Sequence, residues 1–278
     1  MIGLSNLDSW LDKKTELHDT IRIQPAQFME ATLDKKPKLK VGDKLPQLWH
    51  WLYFLEAKPE SELGRDAHPR KGEFLPPIEL PRRMWAGGRF FFHKDLTIGS
   101  VANKISSIKN ISEKDGKSGP LCFVTIEHKI YSENELCITE EQDLVYLQDK
   151  VQSQPSKPAK SMMENADFRK KIIPSEILLF RYSALTFNGH RIHYDVDYSR
   201  SVEGYDGLVF HGPLTATLLL ELAIEHSNES INTYSFKGKF PLTNLQEFWI
   251  EGKFVDEGIT LWAKRRDGIV AMEASALF

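Results

Sequence analysis

The sequence predicts an α+β fold in which an antiparallel sheet curls around a buried helix, built twice along the chain. Three observations predict it. Residues 214–224, within LTATLLLELAIEH, are apolar on nearly every face, so a helix there has to be buried on most sides. Three strand-length runs follow, at residues 248–255, 259–265 and 269–277, joined by tight turns at Glu257-Gly258 and Asp267-Gly268. The order of helix first and strands after occurs on both sides of KVQSQPSKPAK, a polar stretch with two prolines at residues 150–160.

Taken in order, residues 4–34 carry a helical pattern, read as two short amphipathic segments divided near Pro25, which suits the first turn of the second. Residues 48–54, LWHWLYF, are densely aromatic, and residues 56–77 are rich in charge, Gly and Pro, as a long loop is. From Phe90 the character turns to β. Runs at 99–111, 121–131 and 136–147 have strand length and strand patterning, with turns marked by Asp115-Gly116 and Glu133-Asn134. In the second half, residues 176–184 read as a strand, a polar loop leads to Gly212-Pro213, and Pro213 suits the first helical position. FFFHKDLT at 90–97 can be laid on FKGKFPLT at 236–243. One buried helix followed by a meander is solved when the sheet wraps the helix, which is the hot-dog arrangement. The whole is expected to be a double hot-dog: residues 1–150 as the first half, 151–166 as linker, and 167–278 as the second half.

The bulk numbers are those of an ordinary globular protein: 278 residues, 41% hydrophobic and 27% charged. A net charge of -3 lacks the basic excess that nucleic-acid binding favours. The run Lys35, Lys36, Lys38, Lys40 reads as a solvated loop. No apolar run approaches the roughly 20 residues that cross a bilayer, and an N-terminus carrying Asp8, Asp12 and Glu16 suits neither a secretory nor a mitochondrial leader. A cytoplasmic protein without nucleic-acid or membrane partners is expected, with homodimerisation left open. Cys122 and Cys137 sit in apolar, strand-like surroundings, so two buried free thiols are expected, a cross-strand disulfide being the alternative.

The residues with chemical potential gather in LTFNGHRIHYD at 185–195 and GLVFHGP at 207–213. These segments resemble the MaoC-like (R)-specific enoyl-thioester hydratases and dehydratases, whose signature is Gly-Asp-x-Asn-Pro-x-His followed later by His-Gly and the hot-dog helix. His193 matches the motif's His, Asn188 falls where the family carries its catalytic Asp, His190 falls on the motif's Asn and Arg191 on its Pro. His211-Gly212 matches the later His-Gly. A subgroup is more similar still: the type 2 hydroxyacyl-thioester dehydratases with the mesaconyl-CoA and itaconyl-CoA hydratases, which share FNxHRIHYD, GLVxHGPL, WHWLYF (here residues 49–54) and PRRMWAGG (here residues 81–88). The resemblance implies a hydro-lyase acting on an acyl-CoA thioester with no cofactor and no metal, on a short branched dicarboxylyl group.

Adding water across C2=C3 of an enoyl thioester needs a base for water, a proton for C2 and donors for the thioester oxygen. His193 suits the base. Asn188 is expected to hold the water, and the N–H of Gly212, opening a helix, to stabilise the oxyanion. His190 and His211 are support candidates. Arg82, Arg83 and Arg191 are unranked candidates for a substrate carboxylate or the CoA phosphates, and Trp49, Trp51 and Tyr53 for an acyl pocket too bulky for a long chain. Each also has a structural alternative: an Asx-turn at Asn188, packing at His211, a local cap at Asp195, core at the aromatics, surface at the arginines. Three rival functions stay open. They are a metal centre built from His190, His193, Asp195 and His211, a non-catalytic acyl-thioester binding module, and a 3-hydroxyacyl dehydratase of fatty acid synthesis.

Overall fold

The structure is a computed structural model and describes residues 7–116, 119–149 and 165–278. Most of the expected linker, residues 150–164, lies outside the described residues. After a 3₁₀ turn at Leu7–Trp10 the chain forms β1 (Lys14–Thr20), α1 (Ile23–Thr32), a 3₁₀ turn at Trp49–Leu52, β2 (Arg82–Phe92), β3 (Val101–Gly116), β4 (Gly119–Ser132) and β5 (Glu135–Leu147). The second half adds β6 (Phe168–Ile172), α2 (Glu176–Leu185), α3 (Val196–Ser201), α4 (Gly212–His226), β7 (Thr233–Gly238), β8 (Phe248–Val255), β9 (Gly258–Arg265) and β10 (Val270–Leu277). Among the described residues no helix is long and apolar enough to cross a membrane.

The strands form one ten-stranded sheet in the order β1-β3-β4-β5-β2-β7-β10-β9-β8-β6, antiparallel throughout. α4 packs across β7, β8, β9 and β10. Leu214, Ala216, Leu219, Leu220, Leu222 and Ala223 are buried, each large side chain contributing about 1.5–3 kcal/mol. The apolar stripe ends one residue early, because Ile224 is exposed. This is the double hot-dog expected. Its two sheets are not separate: β2 pairs with β7 (Gly87↔Lys237, Gly88↔Phe236) and joins them. The cover of the first half is also shorter, since α1 spans ten residues and shares the work with the aromatic turn, where Trp51 packs edge-on against Trp85 and Phe90. The short echo between the halves is structural: Phe90 and Phe236 lie on the paired strands β2 and β7, and Thr97 and Thr243 each make an isolated bridge, to Lys44 and Val209.

Two elements differ from expectation. Residues 14–20 form an edge strand, not a helix. KTELHDT alternates, with Thr15, Leu17 and Asp19 half-buried, and pairing with β3 satisfies its backbone. Residues 176–184 form α2, not a strand. Ser175 caps the helix, its side chain accepting the N–H of Leu178, and Leu179, Tyr182 and Ser183 supply one buried helical face while Ile177 and Phe180 stay exposed. Cys122 and Cys137 are free and buried.

Candidate active site

α2 ends at the loop that carries the motif. Phe187 takes a left-handed φ of 48°, an unusual conformation for a side chain of that size. The next residue turns the chain back: the N–H of Asn188 reaches the carbonyl of Ser183 (2.8 Å), and Asn188 Oδ1 accepts the N–H of His190 (3.0 Å). That is an Asx-turn. Arg191–His193 then form a 3₁₀ turn, and Asp195 caps α3 by accepting the N–H of Tyr198 (2.9 Å).

His193 is buried among these elements. Its Nδ1–H donates to the carbonyl of Val209 (2.7 Å), which leaves Nε2 as the nitrogen with a free lone pair. Burial pushes its pKa down to about 4, opposed by the Val209 hydrogen bond, so the ring is neutral at ordinary pH, with its Nε2 lone pair available to take a proton. His211 stacks on it at 3.7 Å between centroids, is fully buried and is hydrogen-bonded through Nε2 to Ser183 Oγ (2.8 Å). His211 is therefore the back wall of His193. Next to them, Gly212 opens α4 and lines a cavity of about 570 Å³. Apart from its chain neighbours and the backbone of its own helix, nothing lies within 4 Å of where a Cβ at Gly212 would sit. The glycine therefore leaves open space beside the helix N-terminus, where an oxyanion is favoured.

His190 and His193 also line this cavity, as does Asn188. One lone pair of Oδ1 serves the turn, and the Asn188 amide N–H groups remain to hold water or substrate. The loop at 56–77 brings two groups that sequence reasoning missed. Asp66 accepts from His68 Nδ1–H (2.9 Å), and the His68 ring lies 4.4 Å from that of His190. The available signal was an Asp-x-His pair inside a segment read only as loop. Asp66, His68 and His190 hold ligand-type atoms within 4.8 Å of one another, a tighter group than the one expected from His190, His193, Asp195 and His211.

The arginines separate. Arg83 lines the cavity, and no carboxylate forms a salt bridge with it among the described residues. Arg82 points elsewhere, into a buried pair with Glu203 (2.5 Å) and a hydrogen bond to Tyr205 Oη (3.1 Å). Arg191 is paired with Asp195 (2.7 Å) and lies over the Tyr198 ring. The aromatic strip is core. Trp49 donates to Glu221, Trp51 to Glu140 and Tyr53 to the carbonyl of Arg22, and none of the three lines the cavity, whose aromatic lining is Phe74, Trp85, Phe187, Tyr205, Phe210 and Phe240. The bulk expected to exclude long chains is thus not in the groove. The cavity lining crosses the sheet from Met272 on β10 to Thr15 on β1, six strand spacings or about 29 Å along the sheet.

A sheet-wrapped helix whose N-terminus meets a basic histidine in an elongated, largely apolar cavity defines an acyl-thioester hydratase or dehydratase. The chain belongs to the family of hydroxyacyl-thioester dehydratase type 2, whose model matches residues 48–244. Mesaconyl-C(4)-CoA hydratase of Chloroflexus aurantiacus is 42% identical over 268 residues, covering 96% of either chain. The mitochondrial hydroxyacyl-thioester dehydratase type 2 of Schizosaccharomyces pombe is 30% identical over 241 residues, 76% of this chain and 79% of that protein. Among solved structures, a MaoC-like dehydratase from Phytophthora capsici shares the fold with a TM-score of 0.71 at 12% identity, covering 98% of both chains.

Proposed function

We propose that the chain hydrates a short, branched, dicarboxylic enoyl-CoA of the mesaconyl-CoA type, reversibly. In this mechanism His193 Nε2 takes a proton from water while the water oxygen bonds to C3. The C2=C3 electron pair moves toward C2 and the thioester, the Gly212 N–H holds the oxygen that gains charge, and a proton is delivered to C2. The Asn188 amide donates to the water or the acyl group. Arg83 carries the substrate assignment: it lies on the cavity wall beside the histidines, and among the described residues no carboxylate forms a salt bridge with it. A second substrate carboxylate there would gain a charge-assisted, two-point hydrogen bond. The name of the Chloroflexus relative supports the same acyl group. We also propose, from the sequence alone, a cytoplasmic site of action.

The length of the cavity favours one second reading, a dehydratase of longer 3-hydroxyacyl thioesters. Comparing kcat/KM for mesaconyl-CoA, itaconyl-CoA, crotonyl-CoA and an enoyl-CoA of eight or more carbons separates them. A site that pairs the second carboxylate should prefer a dicarboxylic substrate by about tenfold or more, because a site built for a partner loses by leaving it out. Equal or better rates with the long chain would establish the second reading instead.

A further inference from the structure

We propose that His68, backed by Asp66, is a second catalytic proton carrier of this site and delivers the proton to C2. The proposal rests on the hydratase function proposed above. Four observations carry it. Position 188, where the family motif has its carboxylate, holds an amide whose oxygen is already used in a turn. A different carboxylate, Asp66, enters from the opposite half and binds His68 Nδ1–H at 2.9 Å, with its other oxygen on the His68 N–H at 3.1 Å. His68 lines the cavity. The loop is also seated on the motif: the Arg191 N–H donates to the Asp66 carbonyl (3.2 Å), and Gly189 approaches so closely that a Cβ there would lie 3.0 Å from the Ala67 carbonyl oxygen. Ala67 itself holds a left-handed φ of 64°, strain of the kind that clusters at functional sites.

The geometry assigns distinct roles. With Nδ1–H committed to Asp66, His68 exchanges protons only through Nε2, and the carboxylate stabilises the imidazolium that forms, as an orienting Asp does in a catalytic triad. Among the described residues His193 has no carboxylate partner. The water proton is taken by His193 Nε2 as oxygen bonds to C3, and the electron pair of the double bond passes into the enolate held by the Gly212 N–H. That proton moves from His193 to His68 Nε2. The resulting His68 imidazolium gives it to C2 as the enolate returns to the thioester, and both rings end neutral as they began. His190 lies between them, 4.4 Å from the His68 ring and 5.5 Å from that of His193, and its own ring makes no hydrogen bond among the described residues. It is placed to pass that proton.

The charged and titratable groups facing His68 are Asp66 on its own loop, Arg83 on β2, and His190 and His193 from the motif. Burial and Arg83 hold the His68 pKa below its ordinary value while Asp66 opposes them. The neutral ring therefore predominates at rest, and the protonated form arises within the cycle.

The test is hydration of the enoyl-CoA that wild type uses best, by wild type, His68→Ala and Asp66→Asn, with and without added imidazole. His68→Ala should lose about 10²-fold in kcat with KM within about threefold. Imidazole should recover at least about tenfold of that loss, which a merely structural histidine would not allow. Asp66→Asn should also lose kcat and shift the acid limb of its pH profile. A kcat within about threefold of wild type in His68→Ala, a loss confined to KM, or a kcat loss that imidazole does not reverse overturns the proposal. Should His68→Ala not fold, Asp66→Asn decides: unchanged kcat and pH profile overturn it. Wild-type protein that hydrates no enoyl-CoA is a different result, since it removes the proposed function itself.

Discussion

Arg82 and Arg83 are neighbours in sequence with opposite fates, because successive side chains on a strand face opposite ways. Arg82 completes a buried pair with Glu203; Arg83 lines the cavity. Removing one partner of a buried pair leaves the other charge without compensation, so Arg82→Ala should destabilise by about 3–5 kcal/mol, measured by urea unfolding. Arg83→Ala should keep its unfolding midpoint and raise KM for the dicarboxylic substrate about tenfold, with less effect on crotonyl-CoA. The doublet was legible as a candidate from sequence, but its split was not, since the strand that decides it, Arg82–Phe92, was not read as a strand. His193 and Gly212 were legible as candidates for a different reason: both match the motif that the family resemblance supplies, and both line the cavity. The Asx-turn at Asn188 was legible too, but only as one of two alternatives, because an amide serves a turn and a substrate equally well.

At the scale of elements, the motif loop and its neighbours bury histidines in neutral form. Burial pushes His193 to about 4 and His128, on β4, to about 4 as well, and it lowers His68, His190 and His211 also. Unfolded, such rings titrate near 6.5. Between about 4 and 6.5 the unfolded chain therefore binds more protons than the folded one. The stability from these groups is present above about pH 6.5 and is lost as pH falls toward 4. Melting temperatures taken in steps from pH 7.5 to 4.5 should fall on acidification, and the acid limb of kcat should lie below 6.5; a melting temperature that holds or rises contradicts this. Sequence showed the histidines but not their depth. The same limit explains the misread elements. β1 is polar enough to pass for a surface helix until its partner β3 is known, and α2 is an apolar run short enough for either period. The loop at 56–77 was recognised as loop, yet the contact that gives Asp66 and His68 meaning is with residues more than a hundred positions away.

For the whole molecule, the join between β2 and β7 makes one sheet, and one apolar cluster runs from Ile21 and Phe90 to Leu214 and Ala276. The site depends on this union, since the motif comes from one half and Asp66, His68 and Arg83 from the other. Gly87 sits at the seam, where a Cβ would lie 2.6 Å from the Phe236 carbonyl oxygen. Gly87→Val should force β2 and β7 apart at about 1–3 kcal/mol. It should lower activity with the melting temperature even though Gly87 is not itself part of the cavity lining. Unchanged stability would show the seam to be compliant. The helix-then-meander architecture was legible from periodicity and turns, because those signals are local. The continuous sheet was not, because pairing between strands about 150 residues apart leaves no periodic trace.

The central claim is that His193 Nε2 is the base of an enoyl-thioester hydratase. The most direct measurement follows the ultraviolet absorbance of the conjugated thioester of mesaconyl-CoA with wild type and with folded His193→Ala. The account predicts its loss with wild type and a turnover lower by about 10²-fold or more in the variant. Near-wild-type turnover by His193→Ala would contradict it.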